Sequence, residues 1–211
     1  MNPVEELRQL RDLMQKHCFK YGDFTLASGL TSKYYYDGKK VTLRPRSAEI
    51  IGRLLVRILR EVRAEAVGGL AIGADPIAEA VALASIESGY EIPAFIVRPD
   101  PKKHGTREQV AQAFSDEGGE LLGPGRRVAV VDDVITTGGS VDKAISVVKA
   151  LGGEVVAVVV LVERHEGGGQ ELRDKGYNFI SLFHTDEEGN LSIDEGLLQR
   201  LGSMPVGRVL R

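Results

Sequence analysis

The stretch that most narrows the folds open to this chain is Val128-Ala129-Val130-Val131-Asp132-Asp133-Val134-Ile135-Thr136-Thr137-Gly138-Gly139-Ser140. Four leading apolar residues without polar alternation predict a strand buried on both faces, the habit of a parallel sheet covered by helices. Two adjacent carboxylates stand where that strand is expected to end. A small, hydroxyl-rich loop follows, and Val141 to Lys149 has the spacing of an amphipathic helix. Such a loop opening a helix offers free backbone N–H groups, hydroxyls and the positive helix end, which together suit a phosphate monoester. The acids before it suit hydroxyls or a metal, as a ribose ring would need. Asp-Asp alone equally fits the start of a turn. Strand, acids and cradle in one line describe a site for a phosphorylated sugar.

The rest of the chain supplies the sheet. Helices are predicted over Val4 to Phe19, Ser47 to Glu61, Asp75 to Ser88 and Gln170 to Lys175, with a closing one over Ser192 to Leu201. Strands are predicted over Asp23 to Asp37, Ala66 to Ile72, Ala94 to Val97, Glu154 to Val162 and Phe179 to Phe183. Pro99 to Gly125 reads as the longest irregular region, with a hairpin around Gly118-Gly119. Strands alternating with helices imply an α/β fold with a mostly parallel sheet flanked by helices, and ligands outside the carboxyl ends of the strands. Residues up to about Val41 break the alternation and are expected to form a small N-terminal cap on a single domain spanning 1–211.

Composition bounds the chemistry. A chain of 211 residues with 43% hydrophobic content can bury one full core, and a net charge of −3 gives no overall pull toward nucleic acid or anionic membrane. Cys18 is the sole cysteine, so no intrachain disulfide forms and a reducing compartment is expected. The first residues lack the basic and apolar regions of a signal peptide, and no apolar run approaches the ~20 residues of a membrane span. The expectation is a soluble, cytoplasmic protein.

Four further segments lie at predicted strand ends or in the cap. Arg98-Pro99-Asp100-Pro101-Lys102-Lys103-His104-Gly105-Thr106 gathers three cations and a histidine, either a solvated basic loop or a mobile one that stabilises a departing anion. Ser28-Gly29 and the run Tyr34-Tyr35-Tyr36 form either an amphipathic edge strand or an aromatic wall for a flat heterocycle. Gly68 to Pro76 fits a backbone cup for pyrophosphate and, equally, a plain strand-to-helix turn. Arg164, after the long strand, is placed for a bidentate pair with a ligand carboxylate or for a surface salt bridge. His17, His165 and His184 have no metal-ligand spacing, and no Cys/His cluster suggests zinc or iron.

The run from Val128 to Ser140 closely resembles the phosphoribosyl-pyrophosphate signature of the type I phosphoribosyltransferases. The Arg98, Lys102, His104 and Gly105 pattern resembles the loop of the orotate phosphoribosyltransferases, as do Ser28-Gly29 with the tyrosine run and the turn at Arg164. The resemblance implies pyrophosphate displacement from phosphoribosyl pyrophosphate by orotate, with Mg²⁺ as cofactor. It implies that Asp132 and Asp133 hold the ribose hydroxyls and that Val134, Ile135, Thr136, Thr137, Gly138, Gly139 and Ser140 hold the 5-phosphate. It assigns the pyrophosphate to Arg98, Lys102, Lys103 and His104, with Lys102 the catalytic lysine and His104 a proton relay. Orotate would meet Ser28, Tyr35, Tyr36, Thr136 and Arg164. The resemblance also implies a homodimer in which the Arg98–Thr106 loop serves the neighbouring subunit's site. Ala27, Gly73 and Pro99 stand where some relatives carry lysine. A purine enzyme would lack the Arg-x-x-x-Lys-x-His loop, and a nucleic-acid-binding regulator should show a basic face or an added domain.

Overall fold

The structure is a computed structural model that describes residues 2–25, 31–100, 109–112 and 119–204. The chain opens with α1 (Pro3–His17), capped by the Asn2 side chain on the Val4 N–H at 2.9 Å, and with Pro at its first turn. An antiparallel hairpin follows, β1 (Phe19–Thr25) and β2 (Thr31–Tyr36), then a short α2 (Lys39–Thr42). The alternating part comprises α3 (Pro45–Glu61), β3 (Ala66–Leu70), α4 (Asp75–Ser88), β4 (Ala94–Val97), β5 (Val110–Gln112), β6 (Arg127–Ile135), α5 (Gly139–Ala150), β7 (Glu154–Glu163), α6 (Gly168–Asp174) and β8 (Phe179–Thr185). A two-residue strand β9 (Leu191–Ser192) and α7 (Glu195–Ser203) close it.

The seven-stranded sheet has the order β5-β4-β3-β6-β7-β8-β9. Strands β4, β3, β6, β7 and β8 run parallel, and β5 and β9 are antiparallel edges. The mostly parallel sheet expected from the sequence is therefore present. Successive strands go one way from β3 to β4 and the other way from β6 to β8, so the order reverses between β3 and β6. A crevice opens at the carboxyl ends of strands at such a reversal.

Pleating divides the core into two layers. On β6, Ala129 and Val131 pack with residues of α1, α3, α4 and α7, while Val128 and Val130 pack with Val141, Ala144, Ile145 and Val148 of α5. The apolar stripe of α3, with Ile50, Ile51, Leu54, Leu55, Ile58 and Leu59 nearly inaccessible, faces the first layer. Helix α1 belongs to the same core through Leu7, Leu10 and Met14, so the N-terminal segment is more than a cap. Cys18 is buried there, as its place after the α1 stripe suggests.

Two expectations are corrected. The region from Pro99 to Gly125 is not wholly irregular, because β5 pairs antiparallel with β4, Val97 opposite Val110; the hairpin expected around Gly118-Gly119 falls on a stretch of which 113–118 lie outside the described residues. The closing helix starts at Glu195, because Leu191 and Ser192 pair with β8 and Asp194 caps the helix on the Leu197 N–H at 2.9 Å.

Candidate active site

The acid pair does not end its strand. Strand β6 continues to Ile135, with Asp132 opposite Val160 and Val134 opposite Val162 on β7. The sheet hydrogen bonds outlast the apolar run, so two carboxylates are carried inside a strand. Alternation then separates them. Asp132 lies on the α5 face and lines a cavity of about 140 Å³ with Val134, Ile135, Thr136, Thr137, Gly138, Gly139 and Ser140. Asp133 lies on the cap face, where the Tyr36 hydroxyl donates to the Asp133 carbonyl at 3.4 Å. A Cβ on Gly38 would come within 2.5 Å of Asp133 Oδ2. The acids remain coupled, because the Asp133 N–H donates to Asp132 Oδ1 at 2.9 Å. Both are buried, and burial pushes both carboxyls above their usual range; repulsion from Asp133 adds to the effect at Asp132, and the charge of Lys39 opposes it at both.

The loop after β6 turns on Gly138 at φ 88°, a left-handed conformation that glycine takes without strain, and α5 begins at Gly139. The first intrahelical bond there is from the Asp142 N–H to Gly138 O at 2.9 Å. The N–H groups of Gly139 to Val141 precede it and, with the Thr136, Thr137 and Ser140 hydroxyl residues, form an anion cradle. The cradle is braced from behind. Gly168 N–H donates to Thr136 O at 2.8 Å, and a Cβ on Gly168 would strike that same carbonyl.

The crevice at the strand reversal is closed from the β3 side by the turn 71–74. A Cβ on Gly73 would come within 2.6 Å of Asp132 Oδ1 and 2.8 Å of Asp133 Oδ1. The small residue at that position is thus fitted to the acid pair.

Arg164, at the end of β7, is 6% exposed. Its N–H donates to Ile135 O at 3.0 Å, and its guanidinium lies 4.5 Å from the centre of the Tyr34 ring. Nη2 pairs with Glu166 Oε1 at 2.8 Å. A surface salt bridge is therefore excluded as its description. The tyrosine run is divided by strand alternation: Tyr34 and Tyr36 are buried, and Tyr35 is exposed on the other side, against Phe24. Tyr36 reaches the acid pair, but Tyr35 and Tyr36 do not share one face. Sequence reasoning missed Tyr34, Gly38, Gly73 as a contact of the acids, and Glu166. Period-2 alternation from Tyr36 was the available signal for Tyr34. Beside Arg164, Glu163 is clamped by Arg173 at 2.8 Å and by His184 Nδ1 at 3.2 Å, which gives His184 a structural partner.

Arg98 stands at the base of the basic loop, where its N–H donates to Gln109 O at 2.8 Å and Lys143 of α5 donates to Pro99 O. Lys102, Lys103, His104 and Ser28 lie outside the described residues. Among the described residues, no group of three or more His, Cys, Asp or Glu side chains is arranged to hold a metal. The donors at the cavity are carboxylate and hydroxyl oxygens, which suit a hard cation brought in on substrate oxygens rather than one held by a protein cage.

Among the described residues, no helix is long and apolar enough to cross a membrane. The family described as phosphoribosyl transferase domain matches residues 38–188. An orotate phosphoribosyltransferase of Aquifex aeolicus is 40% identical over 185 residues, 86% of this chain and 97% of that protein. The crystal structure of Mycobacterium tuberculosis orotate phosphoribosyltransferase with Fe(III) dicitrate superposes with a TM-score of 0.73 at 34% identity, covering 87% of this chain and 99% of the other. The same enzyme in complex with 5-phospho-alpha-D-ribosyl 1-diphosphate gives a TM-score of 0.67 at 32% identity, over 83% and 94% of the two chains. With such relatives matched over nearly their whole length, the chain belongs to the phosphoribosyl transferases and, within them, to the orotate phosphoribosyltransferases.

Proposed function

We infer that this chain transfers ribose 5-phosphate from phosphoribosyl pyrophosphate to N1 of orotate, giving orotidine 5-monophosphate and pyrophosphate in de novo pyrimidine synthesis. The observation that carries this reading is the junction of three parts at one strand reversal: the phosphate cradle, the buried acid pair and the buried Arg164 under the cap hairpin. The 5-phosphate occupies the cradle. The ribose hydroxyls donate to Asp132 and Asp133, which accept most strongly when ionised. The bond from C1 to the pyrophosphate oxygen breaks as N1 attacks, and positive charge develops on the ribose. Ionised Asp132 and Asp133 stabilise that charge.

The orotate carboxylate pairs with Arg164, while Tyr36, Thr136, Ser28 and Tyr35 border the ring. Orotate is already an anionic nucleophile, so positioning and exclusion of water carry most of the acceleration. Arg98, Lys102 and Lys103 neutralise the leaving pyrophosphate, and His104 relays a proton to it. Magnesium, when bound, supplies charge neutralisation on the donor's pyrophosphate.

The enzyme is a homodimer acting in the cytoplasm, with the Arg98–Thr106 loop shared across the interface. Support for a dimer comes from α4, where Leu83 and Ile86, lining one surface with Ile96, are 63% and 62% exposed. Large apolar side chains left bare in one region call for a partner. Purified protein with phosphoribosyl pyrophosphate, Mg²⁺ and orotate tests the activity by loss of orotate absorbance, with uracil, adenine and hypoxanthine assayed in parallel. Turnover of orotate alone is expected; turnover of a purine instead overturns the reading.

A further inference from the structure

Arg164 is as buried as the acid pair, and a guanidinium in that position needs partners to offset its lost hydration. Its surroundings fix it in three ways. The Tyr34 ring packs on the guanidinium, whose Cζ lies over it at 4.5 Å from the ring centre. Tyr34 is itself wholly buried and anchored by its hydroxyl, 3.0 Å from Thr185 Oγ1 on β8. The Arg164 backbone is bonded to Ile135, the last residue before the phosphate cradle. The third hold is Glu166, whose Oε1 takes Nη2 at 2.8 Å.

The pair is closed at only one of its two possible bonds. Arg164 Nε and Glu166 Oε2 are both buried and have no hydrogen-bond partner. A guanidinium closed on a protein carboxylate through both bonds has one edge consumed. Closed through one, it stays oriented while donors remain for a second carboxylate. We propose that Glu166 and Tyr34 are positioning residues that hold the Arg164 guanidinium open for the substrate carboxylate, and so set the preference for a carboxylated pyrimidine over uracil. This rests on the reading of Arg164 as the residue that meets the orotate carboxylate. Orientation is imposed before the substrate arrives, so little of the binding energy goes to ordering a long side chain.

The test is steady-state kinetics of the full chain carrying Glu166→Gln, Tyr34→Leu or Arg164→Gln, with thermal unfolding of each. A charge-assisted hydrogen bond is worth about tenfold or more in a binding constant. Glu166→Gln and Tyr34→Leu are expected to raise the orotate KM by about that factor, with the donor KM and kcat moving much less, and to lower the orotate-to-uracil ratio of kcat/KM. Glu166→Asp, which keeps the charge, should recover part of the loss. An unchanged or lower orotate KM in Glu166→Gln, with Arg164→Gln strongly impaired, overturns the positioning role alone. An unchanged orotate KM in Arg164→Gln overturns the assignment of Arg164 as well. Equal losses for both substrates accompanied by a lowered Tm assign Glu166 and Tyr34 to folding and overturn the proposal.

Discussion

Replacing Asp132 with asparagine should stabilise the free protein and weaken it as an enzyme. Burial and the neighbouring Asp133 push the Asp132 carboxyl from 3.8 to about 7. At about 1.4 kcal/mol per pH unit, that displacement is worth about 4 kcal/mol against the charged form. Desolvation is the larger cause and the Asp133 charge the second, so replacing the carboxylate by a neutral amide should recover about 2 kcal/mol at pH 8, roughly half of that displacement because the two acids titrate as a pair. Asparagine can still accept the Asp133 N–H, now bonded at 2.9 Å. For a chain of this size the gain corresponds to a rise of about 4–8 °C in Tm. The sign with pH follows from linkage: a carboxyl raised on folding favours the folded state fully below its unfolded value of 3.8, and that contribution is lost as pH rises through about 7. The advantage of Asp132→Asn should therefore be large at pH 8 and mostly gone by pH 4.5. Calorimetric binding of phosphoribosyl pyrophosphate should weaken by about tenfold or more, since hydrogen bonds from the ribose hydroxyls to a charged acceptor are lost. A variant less stable than the parent at pH 8, or a gap that does not shrink toward pH 4.5, refutes the account of strained, buried charge.

Three further outcomes are expected. Gly73→Ala should abolish most donor binding, because its Cβ would lie 2.6 Å from Asp132 Oδ1 and 2.8 Å from Asp133 Oδ1; calorimetry with the donor checks this, and retained affinity removes the close approach from the account. Lys102→Ala should lower kcat by about 100-fold, the scale of one lost transition-state donor, with Tm unchanged; comparable turnover takes the catalytic role from Lys102. The proposed dimer should appear in sedimentation velocity of the parent, and Leu83→Asp should convert it to a monomer by putting a charge on the bare face of α4; an unaltered dimer moves the interface elsewhere, and a monomeric parent removes the dimer.

The sheet was legible because β6 and β7 are valine-rich apolar runs and α3 carries a strong apolar periodicity. Asp75 to Ser88 and Ala94 to Val97 were read with their observed bounds, helped by Pro76 at the first turn and Gly89 in a left-handed conformation at the end. The cradle from Thr136 to Ser140 was legible for the same local reasons. What the sequence hid was set by partners distant in the chain. Asp132 and Asp133 looked like a strand end because carboxylates oppose strand propensity, yet pairing with β7 carries β6 past them. Their division between two faces follows only once Val128 and Val131 are assigned to opposite layers. Arg164 was legible as a candidate site residue, but its packing against Tyr34, 130 positions earlier, was not, because no local spacing reports that contact. The β4–β5 hairpin was missed because a three-residue strand leaves little pattern to read.

The central claim, that the strand reversal holds a site for phosphoribosyl pyrophosphate and orotate, is tested most directly by following orotate absorbance with donor and Mg²⁺ in the parent enzyme and in Asp132→Asn/Asp133→Asn. The parent should consume orotate, and the double variant should require far more donor for the same rate while remaining folded. Equal donor dependence in the two proteins would place the ribose elsewhere and contradict the account.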